Sequence, residues 1–326
     1  MAEVAELAGV SISTVSKVAN GSADVGEETR ARVAELLQRY EYVPRRKRRT
    51  FLTVTVLVRD ISLATNVEFL AGAMAEAQSQ RVQLALEQHK DDEPEEGWIE
   101  QFTPQVTRAV IALSSALRAE HHEQLASRGI PLIVVYPQDT ENLVAPSIGA
   151  TDWAGGVSAA KHLLSLGHSR FAMLAGPHHT LVARARLSGF RDALESAGAP
   201  LAPQHVVEGT FDYESGIRQA LELLRGPDRP TAIFAASDRQ AMGALEAARR
   251  LGLRVPEDLS LVGFDDIAPS SMTAPPLTTV AQPLKEMGAL AITMALSLIE
   301  NQPLAVRDAV LTTSLVVRGS TGTPPA

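Results

Sequence analysis

Apolar and polar positions follow a helical rhythm up to about residue 50 and a different one after it. In residues 3–9, Val4, Ala5 and Ala8 share one helical face, and Gly9 suits the left-handed turn that stops a helix. Ser11 is placed to cap a second helix, on which Ile12, Val15, Val18 and Ala19 recur at helical spacing as far as the turn signal Asn20-Gly21. A third helix is predicted from about residue 26 to 40. Glu27 and Glu28 in its first turn favour its dipole, Val33, Leu36, Leu37 and Tyr40 form its stripe, and Pro44 closes the module.

From residue 51 onward, short β-branched runs alternate with longer amphipathic stretches, the signature of parallel sheet covered by helices. The predicted strands are 53–58, 82–87, 109–113, 132–136, 171–174, 231–235 and 259–264, with helices near 66–80, 118–128, 152–167, 182–197, 212–224, 238–252 and 283–300. This pattern accommodates one large sheet or two similar lobes. A polar stretch at 139–147 is the expected first crossing if there are two. The tail at 320–326 reads as frayed.

Composition narrows the class. A chain of 326 residues suits a small module plus a larger body, and 45% hydrophobic with 21% charged residues is ordinary for a globular protein. The absence of cysteine excludes disulfides, thiolate metal sites and a cysteine nucleophile. There is no long apolar run and no signal-peptide order at the start, so the protein is expected to remain in the cytoplasm, away from membranes. The net charge of −8 is unevenly spread: residues 1–50 hold 9 Lys+Arg and 7 Asp+Glu, leaving 30 − 9 = 21 and 38 − 7 = 31 for the rest. A mildly basic head on an acidic body points to nucleic acid at the head only. Its positive charge is concentrated in Arg45, Arg46, Lys47, Arg48 and Arg49.

Residues 4–21, VAELAGVSISTVSKVANG, closely resemble the DNA-binding headpiece of lac-repressor (LacI/GalR) family regulators. The resemblance continues in order through GATDWAGG (149–156), HLLSLGH (162–168), LAGP (174–177), ARARLSGF (183–190), SDRQAMGA (237–244) and VGFDD (262–266). It implies an all-α helix-turn-helix head (1–44), a basic linker (45–50) and an α/β core of periplasmic-binding-protein type (51–326) that binds ligand and dimerises. The N-terminal lobe would comprise about 51–145 and 267–302, and the C-terminal lobe about 146–266 and 303–319. The implied partners are double-stranded operator DNA, a small effector such as a sugar, and a second copy of the chain; no cofactor is called for. The second helix would lie in the major groove, with Ile12, Ser13 and Lys17 reading bases and Ser11, Thr14, Ser16 and Asn20 positioning phosphates. Ligand in the cleft would alter how two heads are held on a near-palindromic operator, releasing the protein from DNA or, as with some relatives, acting as corepressor.

Sugars present neutral hydroxyls, so their sites combine acceptors and donors with an aromatic face. Asp152, Arg186, Asp238 and Asp265 fall at strand ends or helix starts, where an α/β lobe meets its ligand. By resemblance, Arg186 and Asp265 are the principal contacts, with Asp152, Phe211, Ser237 and Gln282 secondary. Each has a plainer reading: Asp152 and Asp238 as helix caps, Arg186 paired with Glu195 or another acid, Phe211 and Trp153 as core. The stripe Val67, Leu70, Ala71, Met74 and Ala75 is the candidate dimer face, or else an internal one.

The sequence departs from the family in two places. Family headpieces continue into a short hinge helix with a leucine that wedges into the minor groove, whereas here Tyr42-Val43-Pro44 runs into RRKRRT. That run is expected to track phosphates or place an arginine in a narrow minor groove, with affinity falling steeply with salt. The first helix is also expected to begin almost at Met1, so that either the start is misassigned or the helix goes without its Ser/Thr cap, at a cost of about 1 kcal/mol. An enzyme is not expected, because the chain has no G-x-G-x-x-G after the first strand, no P-loop and no G-x-S-x-G, and its His121-His122 and His178-His179 pairs suit no single metal. A free solute-binding protein would share the core but have no DNA head. A nucleobase or other non-sugar effector is the alternative to a sugar.

Overall fold

A computed structural model of the chain describes residues 2–19, 22, 24–40, 52–88, 98–113, 117, 119–137, 143–226 and 228–325. They belong to two compact units, Met1–Phe51 and Leu52–Ala326.

The small unit has three helices, α1 (Ala2–Ala8), α2 (Ile12–Ala19) and α3 (Glu27–Arg39). Gly9 has a φ of +64°, the left-handed value expected of the stop between α1 and α2. Val4, Ala5, Ala8, Val15, Val33 and Leu37 close into one apolar cluster, drawing the three stripes together. Ser11 caps α2, its Oγ accepting from the Thr14 amide at 3.2 Å.

The large unit contains two six-stranded sheets. The first is built from β1 (Thr53–Val58), β2 (Gln83–Gln88), β3 (Ala109–Leu113), β4 (Leu132–Val135), β5 (Ser147–Ala150) and β11 (Asp308–Leu311), in the order β11-β5-β4-β3-β1-β2, all pairs parallel. The second has β6 (Phe171–Ala175), β7 (Val206–Glu208), β8 (Ala232–Ala235), β9 (Ser260–Asp265), β10 (Thr278–Ala281) and β12 (Ser314–Val316), in the order β12-β10-β9-β8-β6-β7. Only its edge strand β12 runs antiparallel.

The helices are α4 (Ala64–Ser79), α5 (Ala119–Ser127), α6 (Asp152–Ser165), α7 (Leu181–Ser196), α8 (Tyr213–Leu224), α9 (Asp238–Arg250) and α10 (Leu284–Ile299). The first sheet packs with α4, α5 and α10, and the second with α6 to α9. Each sheet has an apolar cluster on either face, so two lobes with separate cores replace the single large sheet that the pattern also allowed. Helices pair through close backbone approach. A Cβ on Gly156 of α6 would stand 2.3 Å from the Arg186 carbonyl oxygen of α7, and one on Gly189 of α7 would stand 1.9 Å from the Trp153 carbonyl oxygen of α6.

The lobe boundaries differ from those expected. β5 belongs to the first sheet, so the first crossing falls at Thr151, after the expected 139–147; residues 139–142 of that stretch lie outside the described residues. β10 belongs to the second sheet, which moves the second crossing from near 267 to Gln282-Pro283, and β11 returns to the first sheet before a third crossing at 312–313. Strands this short are assigned by their pairing partners, which no local pattern encodes. The first and third crossings are bound together: the Thr151 amide donates to the Leu311 carbonyl at 2.9 Å and the Thr313 amide to Thr151 Oγ1 at 2.9 Å. The tail is not frayed, since Ser320 is fully buried and its Oγ donates to the Leu261 carbonyl at 2.6 Å.

Candidate functional site

In the small unit, α2 turns Val15 inward and presents Ile12, Ser13 and Lys17 outward, with Ser11 exposed at its start. Thr14 and Ser16 are half-buried along the same helix. Ile12 is 53% exposed, a large apolar side chain held in solvent at the start of a helix whose other apolar groups are covered. Lys17 stands 3.8 Å from Asp24, an exposed pair of little energetic weight. Asn20 and the run Arg45, Arg46, Lys47, Arg48 and Arg49 lie outside the described residues.

Between the lobes of the large unit lies a cavity of about 220 Å³. Five of the seven expected ligand residues line it: Arg186, Phe211, Ser237, Asp265 and Gln282. Arg186 projects from α7 and is 4% exposed, and it pairs with neither Glu195 nor a surface acid. Its Nε donates to Asp152 Oδ1 at 2.7 Å, while Nη1 donates to the Ala236 carbonyl at 2.6 Å and approaches Asp265 Oδ1 at 3.4 Å. The guanidinium carbon also lies 3.8 Å from the centroid of the Phe264 ring and 5.8 Å from that of Phe211. Burial opposes this charge, but Asp152 and Asp265 outweigh it and raise the pKa. Three directions of the fork are thus taken, and Nη2 is the donor left for a ligand.

Asp265 ends β9 with a φ of +118°, and Tyr136, just past β4, has a φ of +54°; both are rare for side-chain-bearing residues and concentrate at functional sites. Gln282, on the second crossing, joins them. It accepts from the Tyr136 hydroxyl and donates from Nε2 to Asp265 Oδ1 at 2.6 Å. Burial, with help from Asp152 and Asp265, pushes the Tyr136 pKa well up, so the phenol stays a donor. Burial likewise pushes Asp265 up to about 6, against the pull of Arg186. The result is a continuous chain, Tyr136–Gln282–Asp265–Arg186–Asp152, from one lobe to the other across the cavity floor.

The two remaining residues are placed otherwise. Asp152 is buried beneath Arg186 and lines a neighbouring apolar cavity of about 390 Å³, shared with Tyr136, Pro137, Trp153, Leu181 and Val182. Asp238 lines neither cavity, which corrects its assignment as a ligand contact. It is fully buried and turned toward the chain after β9, accepting from the Ile267 amide at 3.0 Å, Ser270 Oγ at 2.6 Å and Thr279 Oγ1 at 2.5 Å. Nor does it cap α9; Ser237 does, accepting from the Gln240 amide at 3.2 Å. Burial, then repulsion from Asp265, pushes Asp238 up to about 7. Of the two aromatic residues, Phe211 lines the ligand cavity, and Trp153 is 49% exposed with Nε1 donating to Asp192 at 2.9 Å.

Sequence reasoning missed the other wall: Arg59, Leu63, Ala64, Thr65, Asn66 and Tyr136, all from the N-terminal lobe, as well as His179 and Arg239. Arg59 directly follows the strand at 53–58, and the strand-end rule that selected Asp265 would have found it. Among the described residues, no helix is long and apolar enough to cross a membrane, and no group of three or more His, Asp or Glu could hold a metal ion.

A three-helix head carrying an exposed, serine-capped helix, with a two-lobed body that encloses a cavity with a polar floor at its crossings, defines a DNA-binding regulator with a ligand cleft. Residues 1–45 match the bacterial regulatory proteins of the lacI family, and residues 160–321 a periplasmic binding protein-like domain. The chain is 36% identical to the HTH-type transcriptional regulator DegA of Bacillus subtilis (strain 168), over 98% of this chain and 97% of that one. Among solved structures, the transcriptional regulator CelR in complex with cellobiose superposes with a TM-score of 0.74 at 30% identity, covering 97% and 98% of the two chains. The lac repressor dimer bound to operator and the anti-inducer ONPF gives a TM-score of 0.77 at 28% identity, covering 98% of each. The chain belongs to the lacI family of bacterial regulatory proteins. It is a DNA-binding transcription regulator.

Proposed function

We propose that the protein is a cytoplasmic homodimeric repressor that leaves its operator when a small sugar occupies the cavity between the lobes. The observation that carries this reading is the buried Arg186–Asp265 pair at the cavity floor, tied to the opposite lobe through Gln282 and Tyr136. The pair offers a planar donor beside a carboxylate, the combination a vicinal diol requires. Because the chain of bonds runs through a crossing, a ligand that engages it has different affinities for open and closed lobes, which is the condition for allosteric coupling. The cellobiose bound by CelR supports a carbohydrate over a nucleobase.

At the head, Ile12, Ser13 and Lys17 read base edges, and Ser11, Thr14, Ser16 and Asn20 hold phosphates, joined by Arg45, Arg46, Lys47, Arg48 and Arg49. The dimer face is α4. Four of the five stripe residues are open, Val67 at 52% and Met74 at 62% with Ala71 and Ala75 exposed beside them, while Leu70 is half-buried against the core and Phe69, Gly72, Ala73 and Ala77 are buried.

A thermal-shift screen of mono- and disaccharides, each with its phosphorylated and acid forms, repeated on operator-bound protein, tests the reading. A true effector raises the melting temperature of the free protein and weakens operator binding together. A screen in which no sugar does both rejects it, and an effector that tightens operator binding replaces release by corepression.

A further inference from the structure

The neighbouring cavity adjoins the first, and its chemistry is the opposite of the first one's floor. Tyr136 and Pro137 of the N-terminal lobe and Leu181 and Val182 of the C-terminal lobe line both, so the two spaces meet between these edges. The Arg186–Asp152 pair also spans the join, Arg186 lining the first cavity and Asp152 the second. From there the second cavity follows the end of β5 and the first crossing at Thr151, with Ala154 of α6 and Ala185 of α7 as its far wall. Its volume is about 390 Å³, against about 220 Å³ for the first. Ligand pockets hold roughly 300–1,000 Å³, so the first cavity alone falls short of that range and the two together fall within it.

The side-chain donors of the second cavity are already used. The Tyr136 hydroxyl donates to Gln282, and Trp153 Nε1 donates to Asp192 at 2.9 Å. Thr151 Oγ1 lies 3.0 Å from Thr313 Oγ1 and accepts from the Thr313 amide at 2.9 Å. Asp152 Oδ1 accepts from Arg186, and the remaining lining side chains are those of Gly, Ala, Pro, Leu and Val. A second sugar ring placed here would give up water around its hydroxyls and find few partners in exchange. An apolar group gains from the same burial, and a cavity of about 150 Å³ lined by apolar side chains already holds a benzene ring.

We propose that the effector is a glycoside whose sugar ring sits on Arg186 and Asp265 in the first cavity and whose aromatic aglycone fills the second. This rests on the sugar reading above and specifies it. The glycosidic bond lies between Tyr136-Pro137 and Leu181-Val182, with one lobe on each side. Because the second cavity takes its walls from both lobes and from the crossing, the contacts of the aglycone depend on how the lobes are set, and its burial favours one setting over another.

Calorimetric titration of the full-length protein with matched sets tests the proposal: the free sugar, methyl glycoside and phenyl glycoside of glucose, galactose, mannose and xylose in both anomers, with cellobiose, lactose and phenol alone. The expected result is that at least one phenyl glycoside binds tenfold or more tighter than its methyl counterpart, with a more negative heat-capacity change, the mark of added apolar burial. Ala185→Leu places extra carbon in the second cavity and not in the first; it cuts that preference to about threefold or less and leaves the methyl glycoside's affinity unchanged, which also shows that the variant is folded. Ala154→Leu does the same from α6. A preference below tenfold, or one that survives both substitutions, overturns the inference while the cleft remains a sugar site. A disaccharide that binds tighter than every phenyl glycoside overturns it in favour of a second polar ring, and phenol binding as tightly as the phenyl glycosides overturns it in favour of a separate apolar site. No binding by any member removes both this inference and the sugar reading.

Discussion

The N-terminal and C-terminal lobes repeat one strand order, β2-β1-β3-β4-β5 in the first and β7-β6-β8-β9-β10 in the second, yet they present different surfaces to the cavity between them. The C-terminal lobe contributes side chains that are buried and hydrogen-bonded before any ligand arrives: Arg186, Asp265 and Ser237, braced from behind by Asp152 and Asp238. The N-terminal lobe contributes the residue after β1, the first turn of α4 and the end of β4. One lobe thus holds a preorganised polar floor and the other a wall of strand and helix ends opposite it. Preorganisation lowers the ordering cost of binding.

The largest test of this contrast is Arg186→Ala. Removing the guanidinium leaves Asp152 and Asp265 buried without their cation, a loss of about 3–5 kcal/mol for a broken buried pair. A clear fall in melting temperature and no stabilisation by effector are expected; a variant as stable as the parent would show that the floor is not braced by this pair.

The next is a pH series on Asp238→Asn. Asp238 has its folded pKa raised from 3.8 to about 7, so the folded state favours the protonated acid. The associated stability is therefore full below about pH 4 and is lost as pH rises toward 7, an effect on the order of a few kcal/mol at most. Ser270 Oγ, within reach of both Asp238 and the Ile267 carbonyl, has one proton to give, which suits a protonated Asp238. Asp238→Asn should flatten the decline in melting temperature between pH 5 and 8. Equal slopes in both proteins would mean that Asp238 is ionised throughout.

Tyr136→Phe tests the join between the lobes. It leaves the Gln282 carbonyl oxygen without its donor, at about 1–3 kcal/mol. Effector binding should weaken, and the operator response should weaken more than binding does; a loss confined to affinity would reduce Tyr136 to a simple wall residue. The smallest change in single-chain stability, within about 0.5 kcal/mol, is expected for Met74→Glu on the open face of α4. Sedimentation should nevertheless show monomers, and an intact dimer would move the dimer face elsewhere.

The contrast between lobes also explains what could be read in advance. Arg186 and Asp265 were legible because both sit inside motifs, ARARLSGF and VGFDD, and at element ends. Arg59 and Arg239 also stand at element ends, Arg239 within the block SDRQAMGA, but an arginine after a strand or in a first helical turn is common on any surface, and only the facing lobe gives it a cavity, as it does for Asn66. Asp238 shows the reverse error. Its motif and its place at the start of α9 suggested a ligand contact, but Ile267, Ser270 and Thr279 had already taken its oxygens from inside the lobe.

By itself the sequence determined the elements and their chemistry: three head helices from their stripes and caps, seven of the strands from their β-branched runs, and the acid and arginine of the cavity floor. These are local properties, written in spacing and residue type. Tertiary structure decided the lobe to which each of the short strands β5, β10 and β11 belongs, and with that the place where the chain crosses. It also decided which side chains meet across the cleft. A three- or four-residue strand holds too few side chains to specify a partner, so its allegiance is fixed by the backbone hydrogen bonds and apolar faces that other segments offer.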